Sequence, residues 1–315
     1  MQSAPVSPVA GRRRATLATA AAALALALGA LPASAQPVLE GTEELDFDRP
    51  EAWAMKFFSA ASLLTSVGAA AEMQPGAVDL GFEVLTIPHL DEEQRTVGFN
   101  GIKEEDLNRS PVWARLRATV GLPHEFQLTV GWMPPVDIDG VEADLITVGL
   151  ARRLLGGERW SLRGSLYAQH GDAQGDFTCP SGEEASAPGS PANPFGCEAP
   201  SSDTITLDYV GLELAAVRAS PGGRVPTLHF GASVNELDLT FQTDARTFGF
   251  LDRTRLRADG QIYSFTSGAT WELNRRAGFG VELFYSPLGV QRPGDMGAGD
   301  DPLLNLRAML RYRVR

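Results

Sequence analysis

The sequence predicts an all-β protein, an antiparallel transmembrane β-barrel of about ten strands (ten to twelve) with a short N-terminal helix. Three observations predict it. From residue 77 onward, apolar and polar residues alternate with period two in ten segments of roughly ten residues each, the length of ~9–11 residues that a tilted strand needs to cross a bilayer. The gaps between those segments run long and short in turn. The chain opens on an export signal, and after it no apolar stretch comes near the ~18–20 residues of a spanning helix, so a mature chain that crosses a membrane does so as a closed barrel.

The export signal comes first. Arg12, Arg13 and Arg14 precede an Ala/Leu core, and Gly29 and Pro32 break any helix before Ala33-Ser34-Ala35. A basic start, an apolar core and a small-residue A-x-A site read as a secretory signal peptide, residues 1–35. Its removal takes three arginines and no acid from a chain of 27 basic and 39 acidic residues with net charge −12, leaving 24 against 39 and a net charge of −15. An acidic surface repels phosphates, which excludes a nucleic-acid partner. Hydrophobic residues at 43% exclude a disordered tail, and two cysteines exclude a disulfide-dense scaffold.

Residues 36–76 form the N-terminal segment. Residues 36–50 read as an acidic, loosely ordered lead-in. Over 51–68, Trp53, Phe57, Ala60, Leu64 and Val67 recur at helical steps of three and four, and Pro75 and Gly76 follow as breakers. This apolar helix is expected to plug the lumen or pack at the periplasmic rim. A helix lying on the membrane surface is the alternative.

Residues 77–315 form the barrel. The strands begin with Val78, Leu80, Phe82 and Val84 against Asp79, Gly81 and Glu83, and end with Leu304, Leu306, Ala308, Leu310 and Tyr312 against Asn305, Arg307 and Arg311. A soluble sandwich shows the same alternation, so the connections weigh more. Gaps 88–110, 171–201, 235–260 and 287–302 are long, gap 133–140 is moderate, and gaps 121–125, 152–158, 218–224 and 274–278 are short. Barrels of this kind have short periplasmic turns and longer outer loops. Twelve strands would follow if 236–243 formed another hairpin arm.

The last strand, Leu310-Arg311-Tyr312-Arg313-Val314, resembles the terminal assembly signal of bacterial outer-membrane β-barrel proteins, with Val314 where that family has Phe. Gly121-Leu122-Pro123-His124-Glu125-Phe126, followed by Leu128, Val130 and Gly131, is similar to hairpins of the fatty-acid-transporter-like barrels. The resemblance covers 77–315 by pattern and the last dozen residues by motif. It implies a place in the bacterial outer membrane and insertion by the barrel-assembly machinery.

Inward-facing charges of both signs are the candidate lumen lining: Asp79, Glu83, Glu213, Glu272 and Glu282 against Arg115, Arg117, Arg163, Arg307 and Arg311. They form either an ion-selective lumen or paired charges that fill a barrel barely wider than its own side chains. Cys179 and Cys197 sit in the longest gap and are expected to pair in an oxidising compartment. His170 and Asp172 lie where the fifth strand meets its outer loop, where some ten-stranded outer-membrane barrels carry proteolytic acid–His pairs. Solvated loop polarity is the simpler reading. Asp137-x-Asp139-Gly140 resembles the start of a calcium loop without its remaining ligands. Asp295, Asp300 and Asp301 read as solvated acid, or as a cation site shared with lipopolysaccharide phosphates. The motifs G-x-x-x-x-G-K, H-E-x-x-H and G-x-S-x-G do not occur, so neither an enzyme nor a metal or cofactor site is expected. The sequence points to a narrow channel or transporter for a small or hydrophobic solute, in contact with outer-membrane lipid and lipopolysaccharide. A structural or surface-binding barrel is the second reading, and a rim protease the third.

Overall fold

The computed structural model describes residues 37–314 apart from 70–72, 158, 220–224, 295, 296 and 298. The predicted signal peptide, 1–35, lies outside the described residues, as does Asp295. The folded unit begins at Val38.

In chain order the unit opens with strand β1 (Val38–Glu44) and helix α1 (Pro50–Ser62). Ten wall strands follow: β2 (Val78–Thr86), β3 (Val112–Gly121), β4 (Phe126–Met133), β5 (Glu142–Gly156), β6 (Trp160–Gly175), β7 (Asp203–Arg218), β8 (Thr227–Gln242), β9 (Phe250–Glu272), β10 (Ala277–Ser286) and β11 (Leu303–Arg313). Each pairs antiparallel with the next. β11 returns to β2, with Leu310 opposite Phe82. Closure pairs the backbone within the wall, which is what lets a sheet sit in hydrocarbon.

The outward side chains show what surrounds the wall. On β7 they are Val210, Leu212 and Leu214, all about half exposed. Phe82, Phe230, Phe265 and Leu306 continue the belt around the barrel. On β9 the belt runs from Tyr263 to Trp271, nine residues or roughly 27 Å along the strand, of the order of the ~25 Å apolar band of outer-membrane barrels. Aromatic residues mark both borders. Trp132 donates to Asp144 Oδ1 at 2.9 Å on the outer-loop side, and Trp271 stacks on Phe279 at 6.2 Å on the short-turn side. A closed barrel with such a belt is an outer-membrane barrel.

Above the belt the pattern inverts. On β7, Thr204, Thr206 and Asp208 face out while Ile205 and Leu207 are buried inside. On β8, Glu236 and Asp238 face out while Leu237 and Leu239 are buried inside. Water rather than lipid touches the outside at this height, and the inside becomes the apolar core around α1. This inversion corrects the predicted loops. The gap expected over 235–260 is mostly strand, because β8 extends to Gln242 and β9 runs 23 residues from Phe250. Residues 236–242 prolong β8 and add no further wall strands.

Two N-terminal expectations also change. The lead-in is not loose, since β1 lies parallel along the upper part of β9, with Val38 opposite Leu251 and Glu44 opposite Arg257. β10 is too short to cover that stretch of edge, and β1 covers it instead. The helix is shorter than 51–68. It starts at Pro50, which loses no hydrogen bond at the first helical position, and ends at Ser62, with Leu63 already extended (φ −55, ψ 138).

Candidate functional site: a filled lumen and its outer cavity

Every residue of α1 is buried. The helix occupies the outer part of the lumen rather than the periplasmic rim, because its contacts are with long-loop residues and the outer ends of wall strands. Trp53 Nε1 donates to the Asp301 carbonyl at 3.0 Å, Lys56 Nζ to the Gly289 carbonyl at 2.6 Å, and Phe58 stacks on Trp113 at 6.0 Å. From Leu63 the chain runs on as an extended segment toward the short-turn end, where Gly68 packs against Met309 and Gly280.

The wall explains why the helix stops. The last carbonyls of a helix lack internal partners and carry the negative end of its dipole. Here guanidinium groups from the wall receive them. Arg307 NH1 donates to the Leu63 carbonyl at 2.5 Å, and its NH2 to Ala60 and Ala61 at 3.2 Å each. Arg115 donates to the Ser62 carbonyl, and Arg117 NH1 to that of Thr65 at 2.8 Å. Carboxylates meet the segment's hydroxyls. Thr65 donates to Glu282 Oε1 and Ser66 to Glu213 Oε2, both at 2.6 Å. Tyr209 accepts from Leu64 N at 2.9 Å, and Gln169 Nε2 donates to Ser62 Oγ at 2.8 Å.

The predicted lining residues divide accordingly. Glu83 lies between Arg115 (3.3 Å) and Arg117 (2.6 Å), with Glu83 and Arg115 wholly shielded from solvent. Asp79 holds Arg311 at 3.0 Å and Arg313 at 2.8 Å. Glu213, Glu282 and Arg307 bind the threaded segment. Arg163 is half-buried nearer the short-turn end. Glu272 pairs with Arg311 but is half-exposed at the rim. Sequence reasoning missed Tyr209, Gln169 and His229, the last 2.7 Å from Glu282 Oε2. Gln169 Oε1 accepts from Arg115 at 3.5 Å, a partner the inward guanidinium groups call for, whereas Tyr209 serves the backbone of the threaded segment and His229 a carboxylate.

Space remains at three heights. Around Gly81 and Arg117 a cavity of about 50 Å³ remains, room for a few waters. A vestibule of about 260 Å³ opens at the short-turn end beside His124, Arg163 and His229. At the outer end a cavity of about 240 Å³ lies between β1, α1, the upper β7–β9 strands and the long loops. Its walls are chiefly apolar, including Met55, Phe58, Leu107, Phe177 and Phe241. Phe99 stands at its edge, 61% exposed and in the left-handed region (φ 51), a conformation a bulky residue holds only when its surroundings impose it.

The outer loops are tied together. Cys179 and Cys197 form a disulfide with Cα atoms 5.7 Å apart. Asp203 accepts from Thr178 N and Asp244 N, fastening this loop to the next. Burial pushes the Glu105 carboxyl up to about 8, even beside Lys103. His170 does not meet Asp172. It lies 2.9 Å from Asp208 Oδ2 on the outward face of the wall, while Asp172 accepts from Thr206. Asp137 accepts from Gly140 N and closes a turn, and Asp301 pairs with Arg292. Among the described residues no group of three or more His, Cys, Asp or Glu side chains is placed to hold a metal.

No protein-family model and no curated protein matches the sequence. Among solved structures the chain is similar to the translocator domain of autotransporter NalP from Neisseria meningitidis, at 13% identity and TM-score 0.43 over 85% of this chain and 100% of that one. It is similar to an outer-membrane channel from Pseudomonas putida F1, at 10% identity and TM-score 0.41 over 79% of this chain and 100% of that one. It is also similar to the outer membrane protease OmpT from Escherichia coli, at 11% identity and TM-score 0.34 over 76% of this chain and 94% of that one.

Proposed function

From a ten-stranded outer-membrane barrel whose lumen holds its own N-terminal segment, we propose a non-enzymatic transporter that admits a small hydrophobic solute from the outer face. The observation that carries this reading is the apolar cavity at the outer mouth, about 240 Å³ and walled by Met55, Phe58, Phe177 and Phe241. Apolar cavities with a few fixed polar groups are where small ligands bind. Exposed Phe99 at its edge gives a hydrophobic solute a first contact. Beneath the cavity the Ser62–Ser66 stretch, held by Arg115, Arg117 and Arg307, separates it from the inner vestibule. Passage therefore requires that stretch to shift. The barrel rests closed and is not a wide aqueous pore, which takes more strands.

A second reading is a surface-binding barrel that transports nothing. Exposed Ile102 and Phe248 among the outer loops favour it. In either case outer-membrane lipid and lipopolysaccharide surround the belt, and the barrel-assembly machinery inserts it. Uptake of a radiolabelled hydrophobic solute into proteoliposomes tests the first reading. Ala54→Trp, which fills the cavity from α1, is expected to abolish uptake and leave the folded-barrel gel shift intact. No uptake above that of empty liposomes would leave only the surface-binding reading.

A further inference from the structure

The outer cavity is apolar in its walls but not neutral at its rim. Its ionisable lining side chains are Glu43, Glu51, Glu105 and Asp252 against Arg49 alone, and burial keeps Glu105 protonated up to about pH 8. That arginine is already engaged. Its NH1 donates to Glu43 at 2.5 Å, and its NH2 and Nε donate to Glu51 at 2.8 and 3.2 Å. The next base, Lys103, is buried, pairs with Glu105 and donates to the Thr178 carbonyl at 2.6 Å. An arriving carboxylate would meet Glu43, Glu51 and Asp252 against one arginine whose three nitrogens already donate to acids, and would lose its hydration as it entered apolar walls. A positive charge meets the opposite field. It also meets aromatic rings. Phe58 and Phe177 lie 6.1 Å apart between centroids, and Phe177 and Phe241 6.5 Å, which puts ring faces around the same space. Ring faces attract cations, more strongly where water is excluded.

We propose that the outer cavity takes a small amphiphile with a cationic head, an alkylammonium rather than a fatty acid. Its alkyl chain packs on Met55, Leu107 and Phe58, and its head lies among Glu43, Asp252 and the phenylalanine faces. This inference rests on the transport reading for the cavity itself and adds the charge of the solute.

The test compares three six-carbon probes, hexyltrimethylammonium, hexanol and hexanoate. The full-length protein is placed in phosphatidylcholine nanodiscs, and binding is read by titration calorimetry with empty nanodiscs subtracted. The cation is expected to bind about tenfold tighter than hexanoate, with hexanol between, and the difference should shrink at high salt. The double variant Glu43→Gln with Asp252→Asn alters two side chains at the cavity rim, and should narrow the preference for the cation over hexanoate. Hexanoate binding as tightly as the cation overturns the proposal. If the three probes bind equally and Ala54→Trp abolishes binding, the charge inference fails while the cavity remains a solute site. If no probe binds, or Ala54→Trp changes nothing, both readings fall.

Discussion

Arg307 of the last wall strand donates to the Leu63 carbonyl, 2.5 Å away inside the barrel. The two residues are 244 positions apart in the chain, so this bond ties the end of the wall to the segment threaded through it. Arg307 also serves the Ala60 and Ala61 carbonyls. Methionine would match much of its volume and leave three carbonyls without that donor, at about 1–3 kcal/mol for each one left unsatisfied. Arg307→Met is therefore expected to lower the unfolding midpoint in urea and to raise conductance in planar bilayers. Arg307→Lys should restore only part of the stability, because one ammonium cannot copy the planar fork. Unchanged conductance and midpoint in Arg307→Met would mean that the bond is not what holds the segment.

Glu83 and Glu272 are both inward-phase acids, yet they should respond differently to neutralisation. Glu83 lies between two guanidinium groups without solvent contact. Breaking a buried ion network by removing one partner costs about 3–5 kcal/mol. The Glu272–Arg311 pair is half-exposed on the glutamate side, and pairs of that kind contribute ~0–1 kcal/mol. Urea midpoints of refolded Glu83→Gln and Glu272→Gln should separate accordingly. Equal midpoints would refute the shielded network.

The contrast shows how far the sequence carries. Phe82, Leu212 and Phe265 were legible because lipid requires an apolar residue at every second position of the belt. Leu207 and Leu239 were not. Above the belt water replaces lipid, the apolar set moves to the inner face, and the alternation slips by one residue. β1 was hidden for another reason. It is held by backbone pairing to β9 and wholly exposed, so its side chains carry no burial pattern. The inward charges could be read, but their partners could not. Register across the wall decides that Glu83 meets Arg115 and Arg117, and the two terminal nitrogens of Arg307 go to backbone oxygens that leave no trace in residue type. The outer cavity combines side chains from β1, α1, the long loops and the strand tips, which only the closed fold brings together.

The disulfide should stabilise its loop and leave the wall unaffected. Cys179 and Cys197 close a loop with a sequence separation of 18 residues, worth roughly 3 kcal/mol in the chain-entropy model. That energy acts above the belt, where Asp203 and Asn193 already fasten the backbone. Cys179→Ser with Cys197→Ser is expected to expose the loop to limited proteolysis while the unboiled band keeps its folded mobility. Loss of the folded band would show that the loop supports the wall.

Glu105 makes stability depend on pH. Its carboxyl is outside the lipid belt, in an outer loop, and burial raises it from an ordinary 4.5 to about 8. Between those values the folded chain keeps a proton that the unfolded chain has released. The stabilisation is therefore complete below about pH 4.5 and is lost as pH rises through about 8. Urea midpoints across this range should fall with rising pH more steeply in the wild type than in Glu105→Gln. Identical slopes would show that Glu105 ionises normally.

The threading fixes which side the N-terminal strand faces. β1 pairs with the part of β9 that rises above the belt, and the chain then descends through the lumen to start β2 at the short-turn end. If the long loops face the medium, as in barrels of this build, β1 is at the cell surface although it precedes every wall strand. Thr42 is exposed on β1, and Asn274 is exposed in the turn between β9 and β10. The native cysteines are both in the disulfide, so a single new thiol reports alone. A membrane-impermeant maleimide on intact cells should label Thr42→Cys and spare Asn274→Cys until the outer membrane is permeabilised. The reverse pattern would invert the barrel. Labelling of neither before permeabilisation would place β1 on the inner side and remove the outer cavity from the reach of an arriving solute.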